Sequence, residues 1–173
     1  MSYFFISAAH KSSGKTTLSI GLTAALRSRG MCVQTFKKGP DYIDPLWLTA
    51  ASGRPCVNLD FFTMERDEIF NEFGRAMQDA EIGVIEGNKG LYDGLDLDGS
   101  NSNAALAAQL QAPVFLVIDA RGMTRGIAPL ILGYQAFDPN VRIAGVILNK
   151  VGGSRHEAKL CNVIKHYTDI PVI

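Results

Sequence analysis

The stretch Ala9-His-Lys-Ser-Ser-Gly14-Lys15-Thr16-Thr17 lies between the apolar run Tyr3 to Ala8 and the helical run Leu18 to Arg29. It follows the pattern Gly-x4-Gly-Lys-Ser/Thr except at its first position, where Ala9 stands for glycine. In such a loop, consecutive backbone N–H groups converge on phosphate oxygens at the positive end of a helix. Strand, loop and helix occur here in the required order, so the stretch predicts an ATP or GTP site. Ser12, Ser13, Gly14, Lys15, Thr16 and Thr17 are its expected contacts, with Lys15 reaching the β/γ-phosphates and the Thr16 hydroxyl placed for Mg²⁺. Lys11 lies four positions before Lys15, whereas partition-type ATPases place their extra lysine five before, so it reads as an ordinary loop residue. His10 reads as a loop histidine with a local backbone bond.

Outward from the loop, 173 residues that are 47% apolar suit one domain with a continuous core. Lysine and arginine total 17, as do aspartate and glutamate, and no basic run occurs, which argues against nucleic acid or an anionic membrane surface as partner. No apolar stretch reaches membrane-spanning length, and cytoplasmic placement is expected. Cys32, Cys56 and Cys161 have neither metal-site spacing nor an even count for disulfides.

Apolar runs alternate with amphipathic stretches along the chain. This pattern predicts α/β architecture with three layers, α/β/α, around a mostly parallel central sheet. Strands are expected at 3–8, 32–37, 82–86, 113–118, 143–148 and 170–173. Helices are expected at 15–29, 45–52, 65–79, 101–110, 124–135 and 154–167. The longest irregular pieces, 38–44 and 87–100, follow strands, and ligands of open parallel sheets bind beyond the carboxyl ends of strands.

Acidic residues gather at those ends. In Lys37-Lys38-Gly39-Pro40-Asp41-Tyr42-Ile43-Asp44-Pro45 the two acids sit three apart, on one side of a helix-like turn, where a metal ligand and a substrate-orienting group are needed. Glu86 ends the apolar run Ile82 to Ile85 and is expected in the Mg²⁺ shell or the shell of its attacking water. Gly87-Asn-Lys-Gly-Leu-Tyr-Asp-Gly94 carries three glycines, which suits close approach to a ligand or a mobile cover. Asp60 reads equally as a helix cap near Thr63 or as a functional acid. Arg121 and Arg125 read as anion contacts or as partners of local acids. Asn149 ends a buried strand, where a side chain reads a nucleobase edge, and Gly152 stands where a guanine-reading aspartate would be, so adenine fits better.

Lys38 to Pro45, Asn58-Leu-Asp60, Ile85-Glu-Gly87 with Gly90-Leu-Tyr-Asp-Gly94, and Gly145-Val-Ile-Leu-Asn149 together resemble the N-terminal synthetase domain of the cobyrinic acid a,c-diamide synthase family, a relative of dethiobiotin synthetase. The resemblance implies a phosphate-loop NTPase-type fold over residues 1–173 and an ATP- and Mg²⁺-dependent amidoligase acting on tetrapyrrole carboxylates through an acyl-phosphate. It implies that Lys15, Lys37, Asp41 and Asp44 carry the chemistry, that Thr16, Asp41 and Glu86 surround Mg²⁺, and that Asn149 reads adenine. Ammonia would come from a glutaminase domain, absent from this chain, which is therefore expected to be a piece using free ammonia. A homodimer is left open.

Three positions depart from the family pattern: Leu48 replaces a histidine, Asn88-Lys89 replaces an apolar pair, and Gly99-Ser-Asn-Ser-Asn-Ala104 replaces Gly-Ser-Thr-Ala. All are expected near the substrate, so a sirohydrochlorin or sirohaem type of macrocycle stands beside a corrin. The rivals are dethiobiotin-synthetase-like carboxylate activation and a partition-type ATPase switch.

Overall fold

The computed structural model describes residues 2–173. Its elements run β1 (Ser2–Ala8), α1 (Lys15–Ser28), β2 (Val33–Lys38), α2 (Asp44–Ser52), β3 (Val57–Leu59), α3 (Arg66–Met77), β4 (Ile82–Glu86), α4 (Asn103–Gln109), β5 (Val114–Asp119), α5 (Ile127–Phe137), β6 (Ile143–Asn149) and α6 (Ser154–Tyr167). The strands form one sheet in the order β3-β2-β4-β1-β5-β6, and every pairing is parallel. The α/β expectation holds.

Alternation along the strands sends side chains to two cores. Phe5, Phe36, Ile85, Leu116 and Ile118 face a large cluster closed by apolar residues of α3, α4, α5 and α6. Ile6, Ala8, Val33, Val84 and Val117 face a smaller one covered by Leu18 and Leu26 of α1. These strands are buried on both faces, which is why they read as continuous apolar runs.

Three boundaries differ from the sequence reading. β3 is an unforeseen edge strand of three residues, too short for a periodic signal, with Lys37 paired to Asn58 and Lys38 to Leu59. At 170–173 there is no strand, only an isolated parallel bridge from Val172 to Val146, because Pro171 has no N–H to extend a ladder. Helix α5 begins three residues later than expected, after Thr124-Arg125-Gly126. Asp60 does not cap α3, which is capped by Glu65 in a reciprocal box with Glu68. Its carboxylate instead accepts from Phe62 N and Thr63 Oγ1, closing the turn before that helix.

Candidate functional site

The sheet order reverses at β1, with β4 on one side and β5 on the other, and loop 9–14 leaves β1 at this point. Such switch points open a crevice beyond the strand ends. Ser12 has φ 65° and Gly14 φ 100°, so the loop curls through left-handed backbone before α1 begins at Lys15. Gly14 is also sterically required: a Cβ there would stand 2.2 Å from Asn149 Nδ2. The loop is braced from below. Ala9 N donates to Val117 O at 3.1 Å, Ala9 O accepts from the Tyr134 hydroxyl, and Ser13 Oγ donates to His10 O at 2.8 Å. His10 bonds locally to Lys11 O.

Behind the loop the predicted acids and lysines meet. Strand register sets Lys37 beside Glu86, and alternation turns both toward α1, where Thr16 lies in the first turn. Lys37 Nζ donates to Asp44 Oδ2 at 2.5 Å and to Glu86 Oε1 at 3.0 Å, and stands 3.9 Å from Asp41 Oδ2. The Thr16 hydroxyl donates to Glu86 Oε1 at 2.7 Å and lies 3.3 Å from Asp44 Oδ2. Burial alone lowers the Lys37 pKa, but Glu86 and Asp44 outweigh it and the ammonium ends above its ordinary value. Lys15 goes the other way: burial and then the charge of Lys37 lower it, against weaker support from Glu86, Asp44 and Asp93. It is in none of the ion pairs of this cluster. A buried cation at the mouth of a ring of N–H groups calls for an anion.

The two acids of the 38–45 segment divide their work. Asp41 Oδ1 accepts from Ile43 N at 2.9 Å and Asp44 N at 3.0 Å, so it shapes the turn into α2. Asp44, and not Asp41, comes within reach of Thr16. Among the described residues no group of three acids, histidines or cysteines is arranged to hold a metal by itself. The oxygens present nonetheless suit Mg²⁺, which takes one or two carboxylates and completes its shell with phosphate and water. Glu86 Oε2 is buried without a partner, and the Thr16 hydroxyl adjoins the same carboxylate.

Asn149 sits under the loop, its Nδ2 donating to Ser13 O at 2.8 Å and its Oδ1 accepting from Lys150 N at 2.9 Å. One amide proton and one lone pair stay free for a base edge. Lys150 Nζ ties Ser12 O to Asp119. Arg121 pairs with Asp119, holding that carboxyl below its ordinary range together with Lys150, and Arg125 stacks on the Tyr167 ring at 5.3 Å. The local-acid reading therefore fits Arg121, whereas Arg125 meets an aromatic ring and is in none of the ion pairs of the described residues.

Two residues, Asn103 and Lys38, were not foreseen in their roles. Asn103, fully buried, donates to Asn88 O, Gly90 O and Ser7 Oγ and accepts from Asn88 N, pinning the glycine-rich loop. The glycines make room for the chain itself: a Cβ at Gly87 would meet Asn103, and one at Gly90 would meet Asp93 and Ala9 O. Leu48 is fully buried in α2, so this departure is a packing position and not a surface near substrate. Lys38 faces the opposite side of the sheet from Lys37. A side chain bonding across fifteen residues carries no local signal, and the two lysines separate only once the pleat is known.

Residues 5–173 match the CobQ/CobB/MinD/ParA nucleotide binding domain, and the chain belongs to that family. It is 51% identical over 169 residues to a cobyrinate a,c-diamide synthase of Magnetococcus marinus, covering 98% of this chain and 36% of the relative. It is 51% identical over 172 residues to that of Methanosarcina acetivorans, covering 97% and 35%. The chain thus spans about a third of the length of these curated relatives. Among solved structures, the signal recognition particle receptor FtsY of Elizabethkingia anophelis in complex with GDP superposes with TM-score 0.67 at 17% identity, over 99% of this chain and 56% of that one. The hydrogenase maturation factor HypB of Archaeoglobus fulgidus gives 0.63 at 14%, over 100% and 80%. These two share the fold.

Proposed function

We propose that this chain, as a member of the CobQ/CobB/MinD/ParA nucleotide binding domain family, is the ATP-using part of a tetrapyrrole amidoligase. It activates peripheral carboxylates of the macrocycle as acyl-phosphates, which ammonia converts to carboxamides. The observation that carries the reading is the convergence of Thr16, Lys37, Asp44 and Glu86 beside the unpaired Lys15. The name and high identity of the cobyrinate a,c-diamide synthases supply the substrate class.

A carboxylate has no leaving group, and bound ATP with Mg²⁺ supplies one in the form of a transferable phosphoryl group. The loop amides and Lys15 hold phosphate oxygens at the start of α1. Thr16 and Glu86 would hold Mg²⁺, with Asp44 adjoining and Asp41 fixing the turn that positions it. Lys37 neutralises Asp44 and Glu86, with its third N–H toward Gly87 O at 3.4 Å, and its charge favours the migrating phosphoryl group, electrostatic help that acts strongly in a buried setting. Asp44, partly open to solvent, orients the substrate. Asn149 offers its remaining proton and lone pair to adenine. The ammonia comes from a glutaminase domain, as the resemblance to the amidoligase family implies.

The test incubates the chain with ammonium, ATP, Mg²⁺ and a panel containing a cobyrinic-acid-type corrin, a sirohydrochlorin-type macrocycle and diaminopelargonic acid. Mass spectrometry of the products should find carboxamide on a tetrapyrrole. A chain that binds ATP yet leaves every tetrapyrrole unchanged refutes the proposal, and conversion of diaminopelargonic acid would redirect it.

A further inference from the structure

Strand β2 ends in two lysines, and the site described above uses one. Lys38, 5% exposed, points to the other face of the sheet. Its ammonium donates to Asn101 O at 2.6 Å and lies 5.9 Å from the centre of the Phe61 ring. It is in none of the ion pairs of the described residues. Burial lowers its pKa and Asp60 only partly offsets this, both Asp60 oxygens being engaged by Phe62 N and Thr63 Oγ1. An ammonium carries three N–H groups, so a buried cation is left with donors to spare and no carboxylate bonded to it.

Lys38 borders a cavity of about 210 Å³ beyond the ends of β2 and β4, shared with Pro40, Phe62, Asn88, Lys89 and Leu95. Asn88, also of the lining, has its Oδ1 buried with no hydrogen-bond partner. Lys89 adds an exposed cation, and Asp93, also on the border, uses one oxygen to accept from Gly90 N. The rim is apolar, with Phe62 and Leu95 well exposed. The volume is below the roughly 300 Å³ at which pockets begin to enclose a drug-sized ligand, so it suits a side arm and not a macrocycle.

Resting on the amidoligase reading, we propose that this cavity is an anchoring subsite for a peripheral carboxylate of the tetrapyrrole other than the one being activated, with Lys38 as its charge partner. The macrocycle lies against Phe62 and Leu95 outside. Consecutive residues of one strand then hold two carboxylates of the same substrate, since Lys37 faces the activated one and Lys38, by anchoring another, fixes which is presented. Asn88 Oδ1 serves the arm once it is a carboxamide, accepting its N–H. Lys38 acts in specificity and not in phosphoryl transfer.

The experiment compares wild type with Lys38→Met, which keeps the aliphatic stem and removes the charge. Each is assayed on the tetrapyrrole and on an analogue whose non-reacting carboxylates are methyl esters. A charged hydrogen bond lost on binding is worth roughly a 10- to 100-fold change. The KM for the tetrapyrrole should rise by that factor in Lys38→Met while the KM for ATP holds. Wild type should suffer a similar loss on the ester analogue, and the variant should lose nothing further on it. If Lys38→Met does not fold, wild type on the two substrates decides alone, because equal KM values for acid and ester overturn the subsite. An active wild type with an indifferent Lys38→Met also overturns it and leaves the amidoligase reading intact. A wild type that amidates no tetrapyrrole overturns both.

Discussion

Replacing Lys37 by methionine should cost stability before it costs anything else. The ammonium is 3% exposed and sits against Glu86, which is fully buried, and against Asp44, which is 24% exposed. Asp44 can turn toward water when its partner is lost, but Glu86 cannot. Removing one member of a buried pair typically costs about 3–5 kcal/mol, chiefly as the penalty of the charge left behind. Since a kcal/mol moves the melting temperature of a chain this size by about 2–4 °C, the midpoint should fall by roughly 6–20 °C. The double variant Lys37→Met with Glu86→Gln buries no orphan charge and should recover a substantial part, a coupling of about 1–3 kcal/mol. The pH dependence follows from the raised Lys37 pKa. The stabilisation is fully present below the unfolded value of 10.5 and is lost only as pH rises through the higher folded value. The gap between wild type and Lys37→Met should therefore stay level through neutral pH and narrow only in strong alkali. Thermal and urea unfolding without nucleotide measure all of this. A single variant within about 1 kcal/mol of wild type, below the range for a broken buried pair, or a double variant as unstable as the sum of the singles, would refute the reasoning.

Gly14→Ala must adopt φ near 100° and displace the Asn149 amide, so nucleotide affinity by calorimetry should drop about tenfold or more, the left-handed backbone alone costing about 1–2 kcal/mol. Asn103→Ala leaves Asn88 N and two carbonyls of the glycine-rich loop without partners; about 2–4 kcal/mol should be lost, and hydrogen exchange should quicken at 88–91 before elsewhere. Burial pushes the Cys56 thiol up to about 12, so at pH 8 it should resist alkylation in the folded chain and react on unfolding, read by peptide mass mapping.

How much of this was legible before folding depended on the range of each signal. Loop 9–17 and the buried strands announce themselves within a few residues, by spacing and by unbroken apolar runs, so the sheet and the position of the expected nucleotide site could be placed from the chain alone. β3 could not, because Val57-Asn58-Leu59 is shorter than any period and exists only by pairing with β2. The 38–45 segment showed that two acids would share a side of a turn. It did not show that Asp41 would spend an oxygen on Ile43 N and Asp44 N and thereby push Asp44 forward to Thr16, since that depends on backbone direction. Asn103 was visible only as an unusual residue in 99–104, because its partners lie on a loop that tertiary packing brings to it.

The divergence of Lys37 and Lys38 shows how strongly the register of β2 constrains both faces. Val33 belongs to the smaller core beneath α1, while Phe36 belongs to the larger core on the opposite face. A slip of one residue would exchange these sets, forcing Phe36 against α1 and turning Lys37 away from Glu86. Gln34 opposes that slip from the second face, donating to Pro55 O and accepting from Arg54 Nε. The apolar packing that fixes the strand therefore also decides which lysine neutralises the acids and which one opens on the cavity. Swapping the two positions is no remedy for losing either, since both are already lysine and only their sides differ. A bulge engineered into β2 before Phe36 should consequently disable the buried ion cluster and the cavity together, while point changes at Lys37 or Lys38 disable them one at a time.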